Sequence, residues 1–387
     1  MKQRLNSIFR TLENFRKTEL EDISVFFGIS LPRKVHKDEY VKKLGAYIIE
    51  KPYFWMMNMM ERDLRLLRDL VNLGPEKSLY LDYPDFPTIL EFVGIIASDN
   101  SDENFVRVWL PKDFYDIVSP CIDEVILDCE MSGRFEIDRA ALGYLNLYGV
   151  MTLEEFFNSM DQYKDWAGWK DADHFYNLIS SSPVMKVCRI ERSGVNYMVS
   201  PSVFNPDEII SGREEYPDVK GLRPFTPKQA MMAGEDSPFS VFGLDSPEGE
   251  KLVEMLGNLG YGEEDRRCEI HDIWTNAQMI GNSDTTEDIF SCVSRKQDII
   301  ETFEDYNDCM KVVAAYANTL PKWLLSGHSA NETNCLKVAL RTEEDPLESL
   351  VKKNPFLGLF VHPSPMDEPC PCGSRLSYRN CHGKHLS

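Results

Sequence analysis

The chain has 387 residues, 43% of them apolar, and a formal net charge of -21. That length and composition predict two to four domains with packed cores and exclude a disordered chain. The acidic balance opposes a global nucleic-acid-binding surface, and the want of any run of about 18 apolar residues excludes a transmembrane helix.

The most apolar stretch, Tyr53 to Met60, is too short to span a bilayer and contains Asn58. The first twenty residues alternate charged and apolar groups and lack a continuous signal-peptide core, so a cytoplasmic location is expected. Seven of the ten cysteines stand singly, at 121, 129, 188, 268, 292, 309 and 335. In a cytosolic chain these are expected to be reduced, packed thiols. The charge is uneven. Residues 234–310 carry 19 acidic and 5 basic side chains, and residues 1–43 carry 10 basic and 6 acidic ones.

In chain order, residues 1–75 read as a helical module. Thr18 with Glu21 has capping-box spacing, Leu20, Ile23, Phe26 and Phe27 form an apolar face, and Gly28 stops the helix. A second helix follows Pro32, with Tyr40, Val41, Leu44 and Ile48 on one side. Two short helices joined by an extended segment resemble the SAP and Rho-N-terminal class of helix-extended-helix modules over residues 14–50. The resemblance implies nucleic-acid contact through Arg33, Lys34, Lys37, Lys42 and Lys43. The competing reading is a solvated helical face.

Residues 76–215 hint at an internal repeat. Gly94-Ile95-Ile96 leads through Asp99-Asn100-Ser101-Asp102 to a strand from Phe105 to Leu110, ended by Pro111. Further on, Met185 to Ile190 leads through Arg192-Ser193-Gly194 to Asn196–Val199, ended by Pro201. Helices are expected at Ala140–Leu147, Leu153–Met160 and Ala172–Ile179. Helices followed by a hairpin describe a winged-helix plan, here as a tandem pair. Glu154, Glu155, Asp161, Asp171 and Asp173 on those helices would repel phosphates, which favours packing or protein contact over DNA reading.

Residues 205–225 read as a linker and 216–345 as an acidic helical domain, with apolar positions Leu252, Met255, Leu256 and Leu259, then Val312, Val313, Tyr316 and Ala317. Pro321 ends the last of these helices. Residues 346–368 form a Pro-containing linker. The expected architecture is therefore mainly α with small β-hairpins, an α+β multidomain chain with tandem winged-helix-like units and a C-terminal zinc knuckle at 369–387.

That tail reads Cys370-Pro371-Cys372, then eight residues, then Cys381-His382. Three thiols and an imidazole at this spacing match a closed tetrahedral Zn2+ site. Pro371 stiffens the tight pair and Gly373 permits positive φ after it. Too few apolar residues are present for a core, so metal binding must supply the folding energy. His385 competes with His382 as fourth ligand. Cys370, Pro371, Cys372, Gly373, Ser374, Tyr378, Cys381, His382 and Gly383 resemble the SEC-C motif, the zinc module of the preprotein translocase motor SecA. The usual Gly and Lys positions hold Arg375, Leu376 and Ser377, which thins the basic face. The resemblance favours His382 and implies docking on a protein or ribonucleoprotein partner, as in SecA, where the module engages the SecB chaperone and the ribosome region.

No catalytic constellation is visible. Cys268-x-x-His271-Asp272 lacks a completing cluster, His174, His328 and His362 stand alone, and Glu263-Glu264-Asp265 reads as a solvated turn. Neither a Walker A pattern nor a metalloprotease, nucleophile-elbow or dinucleotide pattern occurs. A non-enzymatic interaction protein is the first expectation, and a nucleic-acid-associated regulator the second.

Overall fold

The computed structural model describes residues 6–29, 35–82, 90–91, 94–101, 105–234, 244–278, 288–333 and 377. They are mostly helical, with two small antiparallel sheets of three strands. The chain divides into two compact units, Met1–Leu145 with Met151–Pro201, and Asn146–Val150 with Ser202–Ser387. No helix among the described residues is long and apolar enough to cross a membrane.

The first unit opens with five helices: α1 (Asn6–Asn14), α2 (Lys17–Phe26), α3 (Lys37–Glu50), α4 (Pro52–Met56) and α5 (Glu61–Leu73). Leu20 and Ile23 of α2, Phe27 just after it, and Tyr40, Val41, Leu44 and Ile48 of α3 are buried, as their 3.6-residue spacing predicts. Ser24 Oγ and Tyr40 OH share a buried hydrogen bond of 2.6 Å that fixes the two helices. Helix α2 stops before Gly28, whose φ of 71° suits glycine. The helix starts two residues earlier than Thr18 suggested, at Arg16, whose donor-only side chain leaves just the Glu19 half of a capping box. The Arg16 backbone N–H donates to the Glu19 carboxylate at 2.5 Å. Thr18 falls inside the first turn because burial of Leu20 and the Lys17–Glu21 pair extend the helix toward its N-terminus.

The first sheet contains β1 (Ser78–Asp82), β2 (Ala97–Asp99) and β3 (Phe105–Trp109) in the order β1-β3-β2. The hairpin lies where turn residues and alternation placed it, with Ala97 opposite Trp109. Its first strand begins at Ala97. The Ile95 and Ile96 amides both turn back to the Leu90 carbonyl, so they are not laddered. Helices α6 (Lys112–Val118), α7 (Ile122–Ser132) and α8 (Arg134–Tyr148) follow, then β4 (Val150–Thr152), α9 (Leu153–Ala167), α10 (Ala172–Ser181), α11 (Pro183–Val187), β5 (Arg189–Arg192) and β6 (Val195–Val199). The second sheet has the order β4-β6-β5. Thr152 and Glu155 make a true capping box on α9, with bonds of 3.2 and 2.7 Å. The expected strand from Met185 instead starts at Arg189. Ser182 accepts from the Val184 N–H, and Pro183 at the first helical position makes Pro183–Val187 a helix. Ser193 and Gly194, at φ 52° and 80°, form the two-residue turn.

A buried ion pair ties this unit together. Arg134 and Asp138 are 3% and 2% exposed, with Nε to Oδ2 at 3.2 Å. The guanidinium also donates to the Met57 and Met59 carbonyls, and the Ser182 hydroxyl donates to Asp138. Burial pushes the Asp138 carboxyl up, against the pull of Arg134 and Ser182. Asp138→Ala strands a buried cation, so the unfolding free energy is expected to fall by about 3–5 kcal/mol in urea denaturation. A loss under about 1 kcal/mol contradicts that account.

The second unit is organised around residues 146–150. The Arg213 guanidinium donates to the carbonyls of Tyr148 at 2.6 Å, Val150 at 2.9 Å and Trp323 at 2.9 Å. Gln278 and the Trp323 indole both donate to the Asn146 carbonyl at 2.9 Å. Arg213 follows helix α12 (Pro206–Gly212), so residues 205–225, expected as a linker, are partly helical. Helices α13 (Pro227–Ala233), α14 (Pro247–Asn258), α15 (Glu263–Gln278), α16 (Ser291–Ser294), α17 (Phe303–Ala317) and α18 (Ala330–Thr333) complete the described part. Leu252, Leu256, Val313, Tyr316 and Ala317 are buried, as their periodicity required. Glu263, Glu264 and Asp265 form the first turn of α15 instead of a solvated turn, because carboxylates oppose the positive helix N-terminus favourably.

Candidate metal centre

Cys370, Cys372, Cys381 and His382 lie outside the described residues, as does His385. Within the tail Ser377 alone is described. It is half-buried and forms an isolated backbone bridge. Three thiols and one imidazole are the set that suits Zn2+ over a hard cation, and the three thiols must lose protons to bind it. Four protein donors close a tetrahedron and leave no position for a reacting water.

Among the described residues no group of three or more His, Cys, Asp or Glu side chains is placed to hold a metal ion. Cys268 is exposed on α15, and His271 Nδ1 lies 3.8 Å from Asp272, which also faces Arg295 at 3.9 Å. Arg295 in turn bonds the buried Glu269 at 2.5 Å, so Glu269, Asp272 and Arg295 form an ion-pair cluster. Cys129, Cys188 and Cys292 are free and buried. Desolvation pushes their thiols up to about 11, 12 and 12, which keeps them protonated and poorly nucleophilic.

Of the five basic residues marked near the N-terminus, Arg33 and Lys34 lie outside the described residues. Lys37 donates to the Glu13 carbonyl at 2.7 Å, joining the start of α3 to α1. Lys43 pairs with Glu39 one turn away at 2.8 Å, and that bond with Lys43 lowers the Glu39 carboxyl. Lys42 is exposed. Two of the three described lysines thus have local partners within the fold. Trp169 packs on Phe175 with ring centroids 5.5 Å apart, as an anchor between helices, whereas Trp166 is 56% exposed.

The group that sequence reasoning missed is Lys322. It is fully buried, and its ammonium donates to the Ala317 carbonyl at 2.6 Å, at the C-terminus of α17. Desolvation lowers its value to about 7. Residue type gives a lysine next to Pro321 and Trp323 no mark of burial; the chain turns back around it, with the Lys322 amide donating to the His328 carbonyl and the Gly327 amide to the Lys322 carbonyl, both at 3.0 Å.

Comparison with known proteins bears on the tail alone. Residues 368–384 match the SEC-C motif family. No curated protein and no solved structure matches the chain. The C-terminal tail, with Cys370, Cys372, Cys381 and His382 inside the matched span, is thus a SEC-C motif, a zinc-binding type of module.

Proposed function

We propose that this protein is a non-enzymatic docking protein whose SEC-C tail holds one zinc on Cys370, Cys372, Cys381 and His382 and engages a protein or ribonucleoprotein partner. The observation that carries the reading is the match at 368–384, which contains all four donors. A closed site gives the metal a folding role, so the module's work is done by its surface.

The body supports protein contact. In both sheets the first strand precedes a later hairpin and pairs with the hairpin's second strand, giving β1-β3-β2 and β4-β6-β5. Helix α8, strand β4, helices α9 to α11 and hairpin β5–β6 follow the winged-helix order, and we read the two repeats within residues 76–215, around β1–β3 and around β4–β6, as winged helices. Glu154, Asp171 and Asp173 are exposed on or beside their helices, a surface that repels phosphate. Capture from native lysate is expected to yield a partner set lost in the Cys372→Ser variant. A partner set unchanged by that substitution rejects the docking role.

A nucleic-acid-associated reading is favoured by one observation, the net charge of +4 over residues 1–43. It requires DNA or RNA binding that weakens steeply with salt and depends on Lys42. Weak, sequence-indifferent binding at moderate salt removes it.

A further inference from the structure

The second unit carries an open groove of about 490 Å³ between α14, residues 299–301 and α17. Glu254, Glu301, Asp305 and Asp308 lie along it, all four exposed, with Lys251 as a countercharge in the lining. Asp308 is paired with Lys311 at 2.9 Å, and Asp305 accepts from the Thr302 hydroxyl at 2.6 Å. Among the described residues Glu254 and Glu301 have no ion-pair partner. The floor is apolar, formed by Met255, Leu259 and Ile300, and Ile299 beside them is 51% exposed. An apolar floor with an anionic rim fits a chain segment in which apolar side chains alternate with cations.

This chain contains such a segment. Arg375-Leu376-Ser377-Tyr378-Arg379, with Lys384 beyond it, lies in a tail that has no acidic side chain after Glu368. The 36 residues from 334 to 369 connect it to Thr333, in the same unit as the groove. Fully extended, such a stretch reaches about 120 Å, far more than a domain of this size is wide. Covalent linkage makes the encounter intramolecular, so a modest electrostatic attraction is enough to populate it.

We propose that the basic tail, Arg375 to Lys384, docks in this acidic groove of its own chain, with its apolar side chains on the floor and its cations against Glu254 and Glu301. A partner that binds the tail then competes with the groove, and the free protein holds its docking module in check. The contact itself needs no partner; only its regulatory consequence rests on the docking role proposed above.

Carbodiimide, which joins an amine to a carboxylate in direct contact, tests this on the purified full chain at low salt with peptide mapping. The expected product links Lys384 to Glu254 or Glu301 within one chain, with a yield independent of protein concentration. Neither Arg375→Ser with Arg379→Ser nor Ile299→Ser removes a cross-linking group, yet each is expected to lower that yield at least about fivefold, as is about 0.3 M salt. A yield unchanged by these substitutions, a Lys384 product elsewhere, or a product formed only between chains overturns the proposal. A cross-link that persists while Cys372→Ser leaves the captured partners unchanged keeps the groove contact and removes only the docking role.

Discussion

Purified protein is expected to contain about one zinc per chain, and Cys372→Ser is expected to lose it. The tail has few apolar residues, Leu376, Tyr378 and Leu386 among them, so it lacks the buried area that folds a domain without metal. Structural zinc in small Cys/His modules contributes on the order of 10–16 kcal/mol of apparent binding free energy, and that energy is folding energy. Removing one thiolate opens the tetrahedron and unfolds the module while leaving the body intact. His382→Ala and His385→Ala decide the fourth ligand. The first is expected to release the metal and the second to retain it; the reverse outcome reassigns the site. Acid acts in the same direction, since the thiolates and imidazole must be unprotonated to bind, so metal content is expected to fall as pH drops below about 6. Metal-free protein purified without chelators contradicts the whole assignment.

Lys322 is expected to make the stability of the second unit rise with pH between about 7 and 10. The sign follows from its lowered value. An unfolded lysine keeps its proton up to about 10.4, whereas the buried one releases it near 7. Across that window the unfolded state binds more protons, so stability increases with pH, and below it both states are protonated and the full cost of burying the cation remains. A shift of this size amounts to about 3–5 kcal/mol between the two limits. The Ala317 carbonyl and the negative end of α17 offset part of the desolvation without neutralising the charge. Lys322→Met is therefore expected to stabilise the protein at pH 6 by a few kcal/mol, with an advantage that shrinks steadily toward pH 9.5. Other groups displaced by burial, such as Tyr316 and Tyr261, cancel in the difference between the two proteins. An advantage that does not vary with pH contradicts the account.

Local chemistry was legible wherever neighbours in sequence are neighbours in space. The faces of α2 and α3, the stop before Gly28 and the hairpin turn at Ser193-Gly194 all follow from spacings of a few residues. The errors arose where two local readings compete. Met185 to Val187 is apolar and β-compatible, but Ser182 and Pro183 supply a cap and a first position, and helix results. Residues 205–225 have the composition of a linker, yet Arg213 finds three backbone carbonyls, and bonds to those buried acceptors hold the segment in place. Strands β1 and β4 were missed because a strand of five or three residues is specified by its partner across the sheet.

The SEC-C motif was determined by the sequence alone, because its donors lie within thirteen consecutive residues and metal coordination demands only residue type and short spacing. The mainly helical class with small β-hairpins was determined in the same way, from periodicity and turn chemistry. Only the tertiary structure decided which charges are buried. Arg134 meets carbonyls more than seventy residues away, and Lys322 disappears beneath the end of α17. It also decided that Glu254 and Glu301, far apart in the chain, line one groove. Burial and charge grouping depend on which distant segments pack together, and that information is spread over the whole chain.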